Sequence, residues 1–289
     1  MALYICNATA GSLFFKKNDQ SSLNTLVTVA VFGLIVSGIV FLTASFFVDV
    51  QANVSLGLVL LGALRGVLIV VGLFFVSKAF RLVPVSVMSP LGMIFILPLL
   101  ALSWIIFGDS VGIAVIVLVL IMLSLCTMLV LLEGTKTDKD KPSRRKFWLG
   151  IIYFGAAMVC FLSTQIITRV LGENGMHALT IAFINASAVF VAVLTVFVGL
   201  RRNPIRTLAV NMRSPAQIGI GITDTIWIYL YVPLVMAFNL GVLNAVSRIS
   251  VALTVLAGLL IFKEKVRKPA YFVIAGILVI GIIIGILSV

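Results

Sequence analysis

The stretch from Met236 to Glu264, MAFNLGVLNAVSRISVALTVLAGLLIFKE, decides how the chain is organised. An earlier stretch, Lys78 to Asp109, reads KAFRLVPVSVMSPLGMIFILPLLALSWIIFGD and follows the same plan. Near its start each has Ala-Phe-x-Leu, then a serine seven residues after that leucine, a long apolar run and a closing aromatic-x-acid triplet. The stretches lie about half a chain length apart. Such internal duplication is typical of membrane transporters built from two related halves.

The composition indicates a membrane protein. The 289 residues are 62% hydrophobic and 10% charged, whereas a soluble domain carries roughly 25% charged residues. Apolar runs long enough to cross a bilayer recur along the chain, and they do not alternate with polar residues as the strands of a membrane barrel would. We therefore predict an all-α polytopic membrane protein.

The sequence predicts ten transmembrane helices, arranged as two inverted five-helix repeats. The predicted spans are Ala2–Phe15, Thr25–Val48, Val54–Ser77, Val83–Phe107, Val111–Leu132, Phe147–Thr168, His177–Leu200, Ser214–Phe238, Gly241–Phe262 and Ala270–Ser288. The first half covers residues 1–133 and the second covers 147–289, with a basic linker at 134–146. Because each half has an odd number of spans, the halves are expected to insert with opposite orientations.

The basic residues predict the topology. Of the 21 lysines and arginines, 18 fall in loops on one side of this arrangement, and Arg169 alone falls in a loop on the other. Basic loops stay cytoplasmic, so the linker is predicted to be cytoplasmic and both termini outside. The compact loops favour a bacterial inner (plasma) membrane. The net charge of +12 therefore reflects topology, and no nucleic-acid partner is expected.

Three ionisable residues inside predicted spans are the main candidates for a functional site: Arg65, Asp224 and Arg248. Charges are costly within a membrane and usually mark function. The matching leucines and serines of the two stretches are 158 positions apart, and the position 158 residues after Arg65 is 223, next to Asp224. We expect both to face a midplane cavity, where Arg65 holds a carboxylate and Asp224 holds an ammonium group or a coupling proton. The alternative is structural, with Asp224 paired to Arg65 or Arg248 to lock the helices.

Weaker polar candidates line the later spans, and a small-residue motif marks the last one. The polar residues predicted to contribute to substrate binding are Gln165, Asn185, Tyr229 and Asn244. Gly281 and Gly285 form a GxxxG face, which packs either within the chain or against a second chain in a homodimer. No metal-ligand spacing, nucleophile elbow or phosphate loop occurs, so neither an enzyme nor a cofactor is predicted, although transport could be coupled to a proton or another ion.

The stretch AFNLGVLNAVSRISVALTVLAGLLIFKEKV, with the glycine-spaced AGILVIGIIIGIL after it, resembles the end of an EamA-type repeat of the drug/metabolite transporter superfamily. The first half is similar but has Asp109 where the family usually has Glu. The resemblance implies ten helices in two inverted halves, with alternating access to a central cavity. Substrates across that family include amino acids, other small metabolites, nucleotide sugars and drugs.

These patterns together predict a secondary active transporter, an exporter or exchanger of small polar metabolites such as amino acids. Its partners would be the small-molecule substrate and the lipid bilayer. The main alternative is a membrane scaffold or assembly partner with the same fold that transports nothing. A channel is a further alternative, and it would require a continuous pore.

Overall fold

The computed structural model describes residues 3, 5–7, 9–10, 22–48, 54–82, 95–109, 112–134, 144–238, 240–247, 249–250, 253 and 268–287. Within these ranges the regular structure is α-helical throughout, without a strand. The helices with defined bounds are α1 (Ser22–Ala44), α2 (Leu56–Leu82), α3 (Ile96–Phe107), α4 (Ile113–Gly134), α5 (Arg144–Glu173), α6 (Ala178–Gly199), α7 (Pro204–Asn211), α8 (Pro215–Ala237), α9 (Leu240–Ser247) and α10 (Lys268–Leu287).

Five of these helices contain a segment long and apolar enough to cross a membrane. The segments are Asn24–Ala44, Leu56–Val76, Arg145–Glu173, Ala178–Gly199 and Pro215–Ala237. They confirm the predicted second, third, sixth, seventh and eighth spans. Shorter apolar helices occur at Ile96–Phe107, Ile113–Met128 and Tyr271–Ile284. The predicted spans 2–15, 83–107 and 241–262 lie partly outside the described residues, so the count of ten and the inverted repeat stay predictions.

Two helix boundaries extend beyond the predicted spans. Helix α2 continues to Leu82, through a predicted loop that contains Lys78 and Arg81. Helix α5 begins at Arg144, inside the predicted linker, and runs on to Glu173. Lysine and arginine are good helix formers, so a spanning helix can continue past its apolar stretch into the polar region. The apolar run therefore located these spans but underestimated the length of the helices.

Helix α7 is a helix that the apolar runs do not predict, because its eight residues are too few for a run of membrane length. It lies in the predicted loop between the seventh and eighth spans. The Asn203 side chain caps its start, with Oδ1 accepting hydrogen bonds from the backbone N–H groups of Ile205 and Arg206 at 3.0 and 3.1 Å. Pro204 follows at the first turn, where a missing N–H costs nothing. The asparagine-proline pair is a helix-start signal that the sequence already carried.

The chain divides into two compact units, each drawn from both predicted halves. One comprises Met1–Ser77 and Val159–Ala237, and the other comprises Lys78–Met158 and Phe238–Val289. The predicted halves at 1–133 and 147–289 therefore do not coincide with the compact units. The two halves remain a prediction, which concerns an internal duplication of the sequence and not its division into compact units.

In the first unit, α1 packs against α6, α7 and α8, and α6 also contacts α8. One core cluster joins α1, α2 and α6 through Leu26, Val27, Ala30, Val70, Val189, Val193 and Phe197. A second joins the end of α5 to α6 and α8 through Leu171, Met176, Ile181, Ala182, Ile228 and Val232. Several polar side chains, Arg65 among them, are buried between these helices together with the apolar clusters.

In the second unit, α10 packs along α4, and α9 contacts both α3 and α10. A Cβ atom added at Gly276 would lie 3.0 Å from Leu125 Cδ1, and one added at Gly281 would clash with the Ile249 side chain. The close packing predicted at Gly281 thus occurs within the chain, against Ile249. A homodimer stays a prediction, and it would need a surface other than the one covered by Ile249.

Candidate functional site

Arg65 is enclosed in the first unit near the middle of the candidate span Leu56–Val76. Its side chain is only 1% exposed. The Nε atom donates a hydrogen bond to Thr168 Oγ1 on α5 at 2.6 Å, and that hydroxyl donates to the Thr164 carbonyl at 2.7 Å. Thr168 is therefore satisfied as both acceptor and donor, and Arg65 connects α2 to α5.

The described residues do not satisfy all the hydrogen-bond donors of the Arg65 guanidinium. Its Nη1 atom is buried and has no hydrogen-bond partner among them. The Tyr231 hydroxyl of α8 lies near enough to interact with it electrostatically. A buried cation without a counterion is costly, and a guanidinium suits a carboxylate particularly well. This end of Arg65 can therefore receive an anionic group.

Two glycines bring α2 close to α6 beside Arg65. A Cβ atom at Gly66 would lie 2.6 Å from Ala188 Cβ and 2.9 Å from the Asn185 carbonyl oxygen, and one at Gly62 would lie 2.9 Å from Ile184 Cγ2. Gly62 and Gly66 form a GxxxG motif, which allows helices in membranes to approach closely. The motif encloses Arg65 in the sequence and is a local signal of this close approach.

Asp224 lies on the inward face of α8. The residues four and seven positions away on either side are all buried: Gln217, Ile220, Ile228 and Tyr231. Two residues turn a helix by about 200°, so the exposed Ile222 and Ile226 point to nearly the opposite side. Asp224 is nevertheless itself exposed. Asp224 thus keeps exposed surface on a face of α8 that otherwise packs against protein.

Two long-range hydrogen bonds attach other parts of the first unit to the half of α8 that precedes Asp224. The Asn7 Nδ2 atom donates to the carbonyl of Thr223, the preceding residue, at 2.7 Å. Two turns earlier, Gln217 Nε2 donates to Thr25 Oγ1 of α1 at 3.1 Å. No local pattern indicates these pairings, because the partners lie about 200 positions apart in the chain. They hold the first residues of the chain and α1 against the helix that carries Asp224.

Arg65 and Asp224 do not form an ion pair. Among the described residues, the ion pair within 4.0 Å joins Arg169 to Glu173, at 3.0 Å. Tyr231, which lies near Arg65, is two turns along α8 from Asp224, a rise of about 10 Å. The structural alternative in which Asp224 pairs with Arg65 is therefore wrong. The alternative pairing with Arg248 lies outside the described residues.

The weaker candidates differ in their positions. Asn185 is buried, and its Oδ1 atom has no partner among the described residues. Tyr229 is half-buried, with its hydroxyl near Ser37 on α1 but without good hydrogen-bond geometry. Gln165 is half-buried and engaged in an interaction. The Asn244 side chain lies outside the described part. The Asn185 backbone lies against Gly66, the residue that follows Arg65 in α2.

The long apolar helices identify the chain as an all-α integral membrane protein. No family model matches its sequence, and no curated protein matches it. By contrast, 27 chains of solved structures match it. One, described only as a crystal structure of a protein, aligns over 98% of this chain and 93% of its own, with a TM-score of 0.75 and 15% identity. At that identity the likeness shows a shared fold.

Proposed function

We propose that the chain is a secondary active transporter, an exporter or exchanger of small polar metabolites such as amino acids. The observation that carries this proposal is that Arg65 and Asp224, opposite charges in the middle of two candidate spans, belong to one compact unit and yet are not paired. A bound molecule with an anionic and a cationic group would compensate both. The family resemblance of the sequence to EamA-type transporters supports the same class.

The two charges have different roles in this proposal. The Nε atom of Arg65 is held by Thr168, which fixes the guanidinium and leaves Nη1 to receive a carboxylate. Asp224, which forms no ion pair with a described residue, receives an ammonium group or a coupling proton. Access to this site would alternate between the two sides of a bacterial inner membrane. The midplane position suits that cycle, because substrate sites of inverted-repeat transporters lie there.

The alternative is a non-transporting scaffold, and one observation favours it. The Arg65–Thr168 hydrogen bond joins two candidate spans in a fully buried position, which is also what a purely structural arginine would do. In that case the charges specify helix packing, and replacing them would alter stability alone.

Transport assays in proteoliposomes distinguish the two functions. The purified protein would be tested for uptake and counterflow against a panel of amino acids and related metabolites, with and without a proton gradient. The variants are Arg65→Gln and Asp224→Asn, with Asp224→Glu as the conservative change and Arg145→Gln as a control at an exposed residue. Size-exclusion profiles and thermal melting would show which variants stay folded.

We expect a zwitterion to move with the wild type and the control, and transport to fall at least about tenfold in Arg65→Gln and Asp224→Asn. Transport that survives both changes would place the substrate elsewhere. An absence of movement under every gradient, with both variants merely less stable, would support the scaffold.

A further inference from the structure

Helix α7 lies at the membrane boundary. It occupies the connection between two candidate spans, one ending at Gly199 and the next beginning at Pro215. It also touches the start of a third, because Asn211 Nδ2 donates to the Asn24 carbonyl at 2.7 Å and to Thr28 Oγ1 at 2.8 Å. The ends of three apolar segments meet at α7, so this helix lies where hydrocarbon gives way to headgroups.

The inner face of α7 is fixed to the protein. Asn211 is fully buried, and Leu208 packs against the core cluster of α1 and α6. Thr207 Oγ1 donates to the Asn203 carbonyl, which reinforces the first turn. The helix is thus a rigid platform, and its orientation determines which side chains face outward.

The outer face of α7 combines exposed apolar and basic side chains. Ile205 is 77% exposed, and Met212 just beyond the helix is 45% exposed. Arg206 and Arg213 are exposed beside them. Apolar side chains that enter the acyl boundary, flanked by arginines that reach headgroups, are typical of interfacial helices.

Two more arginines, Arg201 and Arg202, lie in the turn between α6 and α7. Arg201 adopts a φ of 52°. The backbone N–H of Arg202 donates a hydrogen bond of 2.9 Å to the Phe197 carbonyl at the end of α6. Glycine normally takes such a left-handed position, since a side chain there costs about 1 kcal/mol. The chain therefore keeps an arginine at this surface where a glycine would be more stable.

No acidic residue in the described part of the chain pairs with these arginines. The sequence contains no aspartate or glutamate between Glu173 and Asp224. Within the described residues, Arg201, Arg202, Arg206 and Arg213 form no ion pair. Four positive charges, unpaired among the residues that the structure describes, thus face the membrane surface on the side that the charge distribution predicts to be cytoplasmic.

We propose that α7 and its flanks bind the headgroups of anionic lipids. Arg201, Arg202, Arg206 and Arg213 contact the phosphate groups, while Ile205 and Met212 enter the acyl boundary of the same leaflet. The exposed apolar side chains favour a lipid over a soluble phosphate compound, which would leave them in water. The site is independent of the proposed transport function, although α7 directly precedes the helix that carries Asp224.

Native mass spectrometry of the full chain in detergent, titrated with phosphatidylglycerol or phosphatidylcholine, tests this site. We expect wild type to retain phosphatidylglycerol in preference to phosphatidylcholine. Arg206→Gln/Arg213→Gln should lower the affinity for phosphatidylglycerol at least about tenfold, because each arginine near an anionic surface contributes about a factor of five. Ile205→Asn/Met212→Gln should also weaken it. The control is Arg145→Gln/Lys146→Gln at the start of α5, which removes the same charge.

Thermal melting without lipid would verify that each variant is folded. An equal loss of affinity in the Arg145/Lys146 control would show that only net charge matters and would overturn the proposal. Displacement of the lipid by inorganic phosphate, or unchanged affinity in the Ile205/Met212 variant, would point to a soluble anion and overturn it as well.

Discussion

The Nε atom of Arg65 and the Oγ1 atom of Thr168 are 2.6 Å apart, although the two residues are separated by 103 positions in the sequence. This hydrogen bond joins α2 and α5 inside the first unit. It leaves one side of the guanidinium with a fixed partner and Nη1 without one among the described residues. Arg65 is thus both a helix connector and a candidate ligand.

Replacing Thr168 with valine should destabilise the protein while keeping the shape of the side chain. The Arg65 Nε–H would stay buried without an acceptor, which costs about 1–3 kcal/mol of unfolding free energy. Thermal or denaturant unfolding in detergent measures the change. Thr195→Val is the matched control, since its Oγ1 donates only to the Val191 carbonyl of its own helix, at an exposed site. An equal loss in the control would mean that the Arg65 bond contributes little.

The accessibility of Asp224 can be tested with thiol labelling. In a background without Cys6, Cys126 and Cys160, Asp224→Cys should react with a membrane-impermeant reagent at least about tenfold faster than Ile222→Cys, because thiolate formation requires water. Both positions are exposed, but they lie on opposite sides of α8. The rates would be measured in proteoliposomes. Equal, slow labelling would mean that Asp224 faces lipid or is closed off.

The sequence predicted those features that depend on local composition. Unbroken apolar runs located five spans, and the rarity of charges inside them singled out Arg65 and Asp224. Helix α7 escaped because eight residues cannot form an apolar run of membrane length. The Asn203-Pro204 pair nevertheless indicates the start of α7, and the GxxxG motif at Gly62 and Gly66 indicates close helix packing.

Long-range pairings could not be predicted in this way. Nothing local in the sequence links Arg65 to Thr168, Gln217 to Thr25 or Asn7 to Thr223. Such contacts depend on which helices become neighbours, and the compact units draw those neighbours from both halves of the chain. The apolar runs placed both charges near the middle of their candidate spans, but they could not show whether the two side chains touch.

Gly66→Ala tests whether the close approach of α2 and α6 supports the site. The new methyl group would meet Ala188 Cβ at 2.6 Å and the Asn185 carbonyl oxygen at 2.9 Å, neither of which can rotate away. Overpacking of this kind costs about 1–3 kcal/mol. Gly57→Ala in the same helix is the control, because nothing lies within 4 Å of its Cβ position. Unfolding in detergent should show a loss for Gly66→Ala and no loss, or a small gain, for Gly57→Ala.

If Gly66→Ala is as stable as Gly57→Ala, the two helices can separate without cost, and the position of Arg65 is less constrained than the contacts indicate. If Gly66→Ala folds but transports less well, the approach of α6 matters for positioning Arg65.

Gly281→Leu distinguishes packing within the chain from packing between chains. Since a Cβ atom at Gly281 already clashes with Ile249, a leucine should lower the unfolding free energy by about 1–3 kcal/mol and leave the oligomeric mass unchanged. Light scattering coupled to size exclusion gives the mass, and thermal melting gives the stability. Gly155→Leu is the control, because its Cβ position has no neighbour within 4 Å. Conversion of a dimer into a monomer of undiminished stability would assign Gly281 to an interface between chains, which the covering Ile249 side chain argues against.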